Sequence, residues 1–186
     1  MKRLFIMFML MLSICGCSTE NRELERAIEL RNKLQKSQGY SFDAVITADY
    51  GEHIYTFSMK CQTDAVGNLS FTVLEPETIS GICGEIREDG GKLTFRDTIL
   101  AFELMAEGQI SPVSAPWVMM HTLSSGYFHS CGSSDDGLLI AIDDSYEGDA
   151  IHLEVWTNGE DYPIRGEIIW QGRRILTVDV RNFRLL

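Results

Sequence analysis

From Tyr40 onward the chain alternates. Tyr40, Phe42, Ala44, Ile46, Ala48 and Tyr50 share one parity, with Ser41, Asp43, Val45, Thr47 and Asp49 on the other. A period of two predicts a strand with one buried face. A second run follows, in which His53, Tyr55, Phe57, Met59 and Cys61 alternate with Ile54, Thr56, Ser58, Lys60 and Gln62. Gly51-Glu52 between the runs reads as a two-residue hairpin connection. Both runs exceed the usual strand length of about five or six residues. Long strands with one apolar face suit the wall of a curved sheet. Further strands are predicted at Leu69 to Glu75, Ile79 to Glu88, Lys92 to Arg96 and Ile99 to Leu104, with an interruption at Glu75-Pro76-Glu77. After a break come Tyr127 to Cys131, Leu138 to Ile142, a run around Ile151, Leu153 and Val155, Ile164 to Trp170, and Arg174 to Val180, the last two joined at Gln171-Gly172.

Two stretches leave the period of two. Between Thr19 and Gln38, residues Leu24, Ala27, Ile28, Arg31 and Leu34 recur at spacings of three and four, the stripe of a helix that packs on something. Its acids come early and Lys33 and Lys36 late, as the helix dipole favours, and Gly39 stops it. Pro112 to Ser125 reads as a second helix, with Ser111 as its cap and Pro116 bending or delaying its start. Trp117, Val118, Met119, Met120 and Leu123 make that helix apolar nearly all round, so it is expected to plug the concave face of the sheet, as plain core or as a lid. The fold class expected is α+β: a long antiparallel sheet curved into an incomplete barrel, with an N-terminal helix and a helical insertion over its concave face.

The first residues follow another grammar. Lys2 and Arg3 precede an uncharged run from Leu4 to Ile14, the basic and apolar regions of an export signal. As a helix this run spans roughly 16 Å, about half of a bilayer core, and is too short to be a stable span. Ile14-Cys15-Gly16-Cys17 resembles the lipobox of bacterial lipoproteins, with Ile14 as the aliphatic residue, Gly16 as the small residue before the cut and Cys17 as the acylated one. Cys15 occupies a slot that Ala, Ser or Thr usually fills. The resemblance implies a signal peptide at residues 1–16, cleavage between Gly16 and Cys17, and a single mature domain at 17–186. Cys17 would then carry a diacylglyceryl group, palmitate-type chains holding the protein outside the cell membrane or on an envelope membrane. With almost no tether between Cys17 and the first helix, the body would ride close to the bilayer.

Charge sharpens this picture. Removing Lys2 and Arg3 with the leader takes the net charge from −11 to −13. Such a chain is repelled by nucleic acid and by anionic head groups, so nucleic acid is not an expected partner and attachment rests on the lipid.

The remaining cysteines, Cys61, Cys83 and Cys131, match no metal spacing and read mainly as small buried apolar residues. In a meander, Cys61 and Cys83 would flank an intervening strand at roughly 9.6 Å, beyond disulfide reach, so any bridge would involve Cys131. His53, His121, His129 and His152 show no metal signature, and His129-Ser130-Cys131 offers only two ligands. The acidic segment from Asp143 to Glu154 has part of the EF-hand spacing. Ser145 and Glu147 stand where Asp or Asn belongs, and the flanks read as strands, so a solvated hairpin turn accounts for it better. No cofactor, metal or catalytic residue is assigned, because nothing presents an activated nucleophile or a paired acid and base.

The order of elements resembles the LolA/LolB-like superfamily of periplasmic and surface lipoproteins: an N-terminal helix, long antiparallel strands, a helical insertion, then a final meander. Tyr40 to Thr63 looks like its first long hairpin and Ser111 to Gly126 like its insertion. Pro163-Ile164-Arg165-Gly166-Glu167-Ile168, followed by Gly172 and Thr177-Val178-Asp179-Val180, is similar to its terminal hairpin. Leu69 to Ile82 looks most like Gram-positive relatives, the clostridial sporulation and germination lipoproteins. The one-sided apolar strands and the apolar helix point to a non-enzymatic surface lipoprotein, and no ligand residue is carried over from the resemblance. In the leading version the open barrel holds a lipid or acyl chain against the inward aromatics and methionines Phe42, Phe57, Met59, Phe71, Trp117 and Met120. In the other, a chaperone or regulator grips an envelope or spore-cortex enzyme through a sheet edge or the outer face, a version that exposed Trp156 and Trp170 would favour.

Overall fold

The computed structural model describes residues 19–106, 109–135, 137–148 and 150–186. The leader, the lipobox and Cys17 lie outside the described residues. The chain opens with helix α1 (Thr19–Lys36), then strands β1 (Tyr40–Asp49), β2 (Ile54–Thr63), β3 (Leu69–Glu75), β4 (Cys83–Arg87), β5 (Gly90–Phe95) and β6 (Thr98–Phe102). A small pair, β7 (Met105–Ala106) and β8 (Gln109–Ile110), leads through a 3-10 turn at Pro112–Ser114 into helix α2 (Ala115–Ser125). Strands β9 (Tyr127–Ser133), β10 (Leu138–Asp143), β11 (His152–Thr157), β12 (Pro163–Trp170) and β13 (Arg173–Leu185) complete it.

Eleven strands form one antiparallel sheet in the order β6-β5-β4-β3-β2-β1-β13-β12-β11-β10-β9, whose ends do not pair. This is the open barrel-like α+β fold expected from the alternation. Five ladders carry a register shift: β1/β13, β2/β3, β9/β10, β11/β12 and β12/β13. Each extra residue bends its strand and increases the local twist, which curves the sheet. On β13 the shift brings Asn182 into the left-handed region (φ 53°), where its amide donates to Asp43 Oδ2 at 2.7 Å. Phe183 then stacks with Tyr40, Phe42 and Tyr162.

The concave face holds the core. Even-numbered residues of β1 and odd-numbered residues of β2 and β3 point inward, as their parity predicted. Helix α2 lies on the concave face against β1 and β10 to β13, with eight of its residues buried. Gly166 of β12 makes that close approach possible, because a Cβ there would overlap Met119 of α2. Helix α1 packs beside β9 and covers that end of the sheet.

Several expectations are corrected. The buried stripe of α1 is Glu23, Ala27, Leu30 and Leu34, while Leu24 and Ile28 face outward. Polar anchors set this rotation: Arg26 pairs with Asp161, and Arg31 reaches Leu123 O and lies over the Phe128 ring. Residues 79–82 form part of a turn instead of strand, closed by Ile79 N–H on Pro76 O and Ile82 N–H on Ile79 O. The Ser111 side chain does not cap the insertion; its carbonyl accepts from Ser114 instead. Strand β13 runs five residues past Val180. Cys61, Cys83 and Cys131 are all free thiols, and Cys83 is exposed, not buried. Trp156 and Trp170, whose exposure would favour docking on the outer face, are half-buried.

Candidate functional site at the mouth of the trough

Helix α2 is fastened at both ends. Before it, Tyr50 at the end of β1 donates its hydroxyl proton to Ile110 O at 2.8 Å. The Ser114 N–H closes the 3-10 turn on Ser111 O at 2.9 Å, and its hydroxyl bonds the same carbonyl at 2.7 Å. Pro116 sits in the first turn, where no intrahelical N–H is needed. At the far end, carbonyls that a helix leaves unpaired are taken by α1: Arg31 Nε donates to Leu123 O at 2.9 Å and Gln35 Nε2 to Ser124 O at 2.8 Å. A helix held this way is part of the wall.

Its outer surface carries Trp117 and His121, stacked with ring centroids 4.4 Å apart and planes 12° from parallel. The Trp117 indole N–H donates to Gly67 O at 3.1 Å. The turn that supplies this carbonyl is organised by Asp64, whose carboxylate accepts from Val66 N–H and Asn68 N–H at 2.9 Å each. Slight burial would raise the Asp64 pKa, but the Asn68 side-chain amide, donating at 2.8 Å, together with these backbone bonds outweighs it and holds the carboxyl below the usual range. Burial lowers the His121 pKa, and the nearby Glu88 and Asp144 carboxylates only partly oppose this.

The Trp117–His121 pair divides the mouth into two recesses. One, of about 200 Å³, lies toward α1 and the β2–β3 turn, between Leu34, Tyr40, Val66, Leu69, Trp117 and Met120. The other, of about 260 Å³, has a floor of Leu104, Met105, Ile110, Val118 and Ile151, with Glu88, Asp144 and His121 at its rim. Arg87 and Asp89, on either side of Glu88, border a further recess of about 450 Å³ that reaches Ala101 and Phe102 of β6. That recess is lined by Glu85, Arg87, Lys92 and Ala101, on the face opposite buried Ile86, so it lies outside the trough; at the unpaired edge of the sheet Ile99 is 70% and Leu100 55% exposed.

The six residues expected to line a ligand are all buried. Trp117 and Met120 border the recess toward α1. Phe42, Met59 and Phe71 are packed in the core, and Phe57 borders a separate surface recess with Thr56, Ser58 and Glu75. The alternation located the inward face, but it carries no signal that α2 fills the trough to its floor. Sequence reasoning missed His121, Glu88 and Asp144 as mouth residues; the one available hint was His121 four residues after Trp117, one helical turn on.

Elsewhere, the segment after Asp143 is a turn, with Ile151 N–H donating to Asp144 Oδ1 at 2.8 Å and Asp149 outside the described residues. Asp143 itself faces two imidazoles, His152 Nδ1 at 2.7 Å and His129 Nδ1 at 3.6 Å. Among the described residues, no group of three or more His, Cys, Asp or Glu side chains is gathered as a metal site requires.

No family model and no curated protein matches the sequence. Solved structures do. A DUF1329-family protein from Desulfovibrio piger is similar at 8% identity, with 90% of this chain and 94% of that chain covered and a TM-score of 0.51. The likeness is one of fold. A LolA superfamily protein from Nitrosomonas europaea is similar at 12% identity, covering 91% and 94% of the two chains, with a TM-score of 0.44. A chain from the complex of the Clostridioides difficile CwlD amidase with the GerS lipoprotein is similar at 12% identity, covering 90% and 96%, with a TM-score of 0.42. The LolA/LolB-like resemblance read from the sequence is met in architecture: helix, long strands, helical insertion and final meander stand in the expected order around an open barrel. Among the described residues no helix is long and apolar enough to cross a membrane.

Proposed function

We propose that this is an exported, non-enzymatic lipoprotein, anchored through acylated Cys17, that binds another protein of the cell envelope at the mouth of its trough. The observation that carries this reading is the filled trough: α2 occupies the concave face, leaving shallow recesses of about 200 and 260 Å³ at the mouth. Sites for small ligands usually enclose about 300–1,000 Å³; the recesses of that size, about 450 and 500 Å³, lie on the outward parity of the strands and not in the trough. Shallow pits flanking an aromatic pair suit the side chains of a polypeptide.

A photo-crosslinking residue at Val66, on the exposed rim, tests this in membranes that carry the acylated chain. One protein species captured at a fixed stoichiometry supports the reading. Acyl chains recovered at one per molecule, with no protein adduct, sink it. Cys17→Ala should release the protein from the membrane fraction, and a variant that still sediments with membranes removes the anchor from the account.

A second reading is favoured by the apolar character of α2 on all sides. An acyl chain that displaced α2 would meet Phe42, Phe57, Met59, Phe71, Trp117 and Met120 in the space it left. Native mass spectrometry of the detergent-extracted chain separates the two readings by the mass of what remains bound.

A further inference from the structure

We infer that the recess between α2 and the Asp144 turn receives a lysine or arginine side chain of the protein partner; this rests on the mouth being a protein-binding surface. The recess combines two features seldom found together. Its floor is apolar, formed by Leu104, Ile110, Val118 and Ile151, and its rim carries two carboxylates, Glu88 and Asp144, with no lysine or arginine among the lining residues. Both carboxylates line this recess together with His121. Ser125, in the last turn of α2, also lines the recess.

An uncharged apolar group would cover this floor but leave both carboxylates to lose water without gaining a partner. An acidic group would be repelled. A lysine or arginine meets both demands, because its methylene stem lies on apolar surface while its charged head stays at the polar rim. The recess, at about 260 Å³, is of side-chain scale. The net charge of −13 on the chain from Cys17 onward draws a basic partner and favours its encounter.

The probes are two peptides, N-acetyl-Leu-Arg-Leu-amide and its norleucine counterpart, titrated into the acylated full chain in detergent micelles. Binding is followed by NMR at the Trp117 indole N–H. The arginine peptide should bind at least five-fold more tightly, and the preference should shrink as salt is raised, because rim charges are screened. Substituting Glu88→Gln together with Asp144→Asn should abolish the preference, while Asn at 144 keeps the side-chain oxygen that accepts from Ile151 N–H. Equal binding of the two peptides overturns the basic-residue inference and leaves the mouth as a protein-binding surface. An arginine preference that survives the double substitution also overturns it. If neither peptide binds and octanoate shifts the indole signal instead, the protein-binding reading of the mouth falls as well.

Discussion

Arg31 and Leu123 join the two helices: the guanidinium Nε of the first donates to the carbonyl of the second at 2.9 Å, while its plane covers the Phe128 ring with the central carbon 3.8 Å from the centroid. One side chain thus caps α2, fixes the rotation of α1 and packs on β9. Its Nη2 is buried without a protein partner, and so is Oε2 of Glu23 on the same helix. Arg31→Met keeps the stem over the ring and removes both the cap and the unpaired donor. A net loss of about 1–2 kcal/mol is expected, the range for a hydrogen bond made by a charged group after partial offset. Urea unfolding measures it, and an unchanged midpoint would show that the cap contributes nothing.

Gly166→Ala places a methyl group where Met119 of α2 already lies. Overpacking of this kind costs about 1–3 kcal/mol. Met119→Ala opens space at the same contact, so the double variant should be more stable than the two single losses added together, by more than about 0.5 kcal/mol. Strict additivity in thermal melts would mean that the two residues do not meet.

On the convex face, Glu167 accepts from Arg165 Nη2 at 2.7 Å and from Arg174 Nη1 at 3.1 Å. Burial would raise its pKa, but the two guanidiniums outweigh burial and hold the carboxyl below its ordinary 4.5. A depressed pKa in the folded state means that the unfolded chain takes up the proton first. The stabilisation is therefore complete above the ordinary glutamate range and is lost as pH falls through the folded-state value. Glu167→Gln should unfold more easily at pH 7 and show a shallower loss of stability in acid. Parallel acid curves for the two proteins would exclude the network as the cause.

The cysteines should differ in reactivity. Cys83 is exposed, whereas Cys61 is fully buried and its thiol pKa is pushed far up by burial and then by Asp43. Maleimide at neutral pH should add to Cys83 within minutes and reach Cys61 only in denaturant, because the thiolate is the reactive form. Intact mass after timed quenching counts the adducts. Early modification of Cys61 would mean that β2 opens in the native protein.

The sheet was largely legible in the sequence because side-chain parity is a local signal: alternation from Tyr40 to Ala48 marks one buried face whatever lies opposite. Turns were legible where their residues are diagnostic, as at Gln171-Gly172, where both φ values are positive as a type I′ turn requires. The rotation of α1 was not, because Leu24 and Ile28 are as apolar as Leu30 and Leu34. The choice is made by Arg26 on Asp161, 135 residues away, and Arg31 on Leu123, 92 residues away. The end of β13 was hidden for a similar reason. Arg181 and Asn182 break the alternation locally, yet the bulge they form lets Phe183 rejoin the aromatic stack. The mouth was the least readable part, since Glu88 and Asp144 come from two separate turns and Trp117 from helix α2, and their meeting depends on the curvature of the whole sheet.

Strand β1 lies between β2 and β13, so Tyr40 finds its second neighbour at Leu185. The middle of the sheet therefore cannot close until the last residues of the chain have been delivered, however early the first hairpin forms. Pairings so distant along the chain delay folding, because a long loop must be ordered before any contact rewards it. Under the export proposed above, in which the chain would cross a membrane as an unfolded thread, this delay would be an advantage: the half that emerges first could not lock into its final shape and stall the transit of the rest.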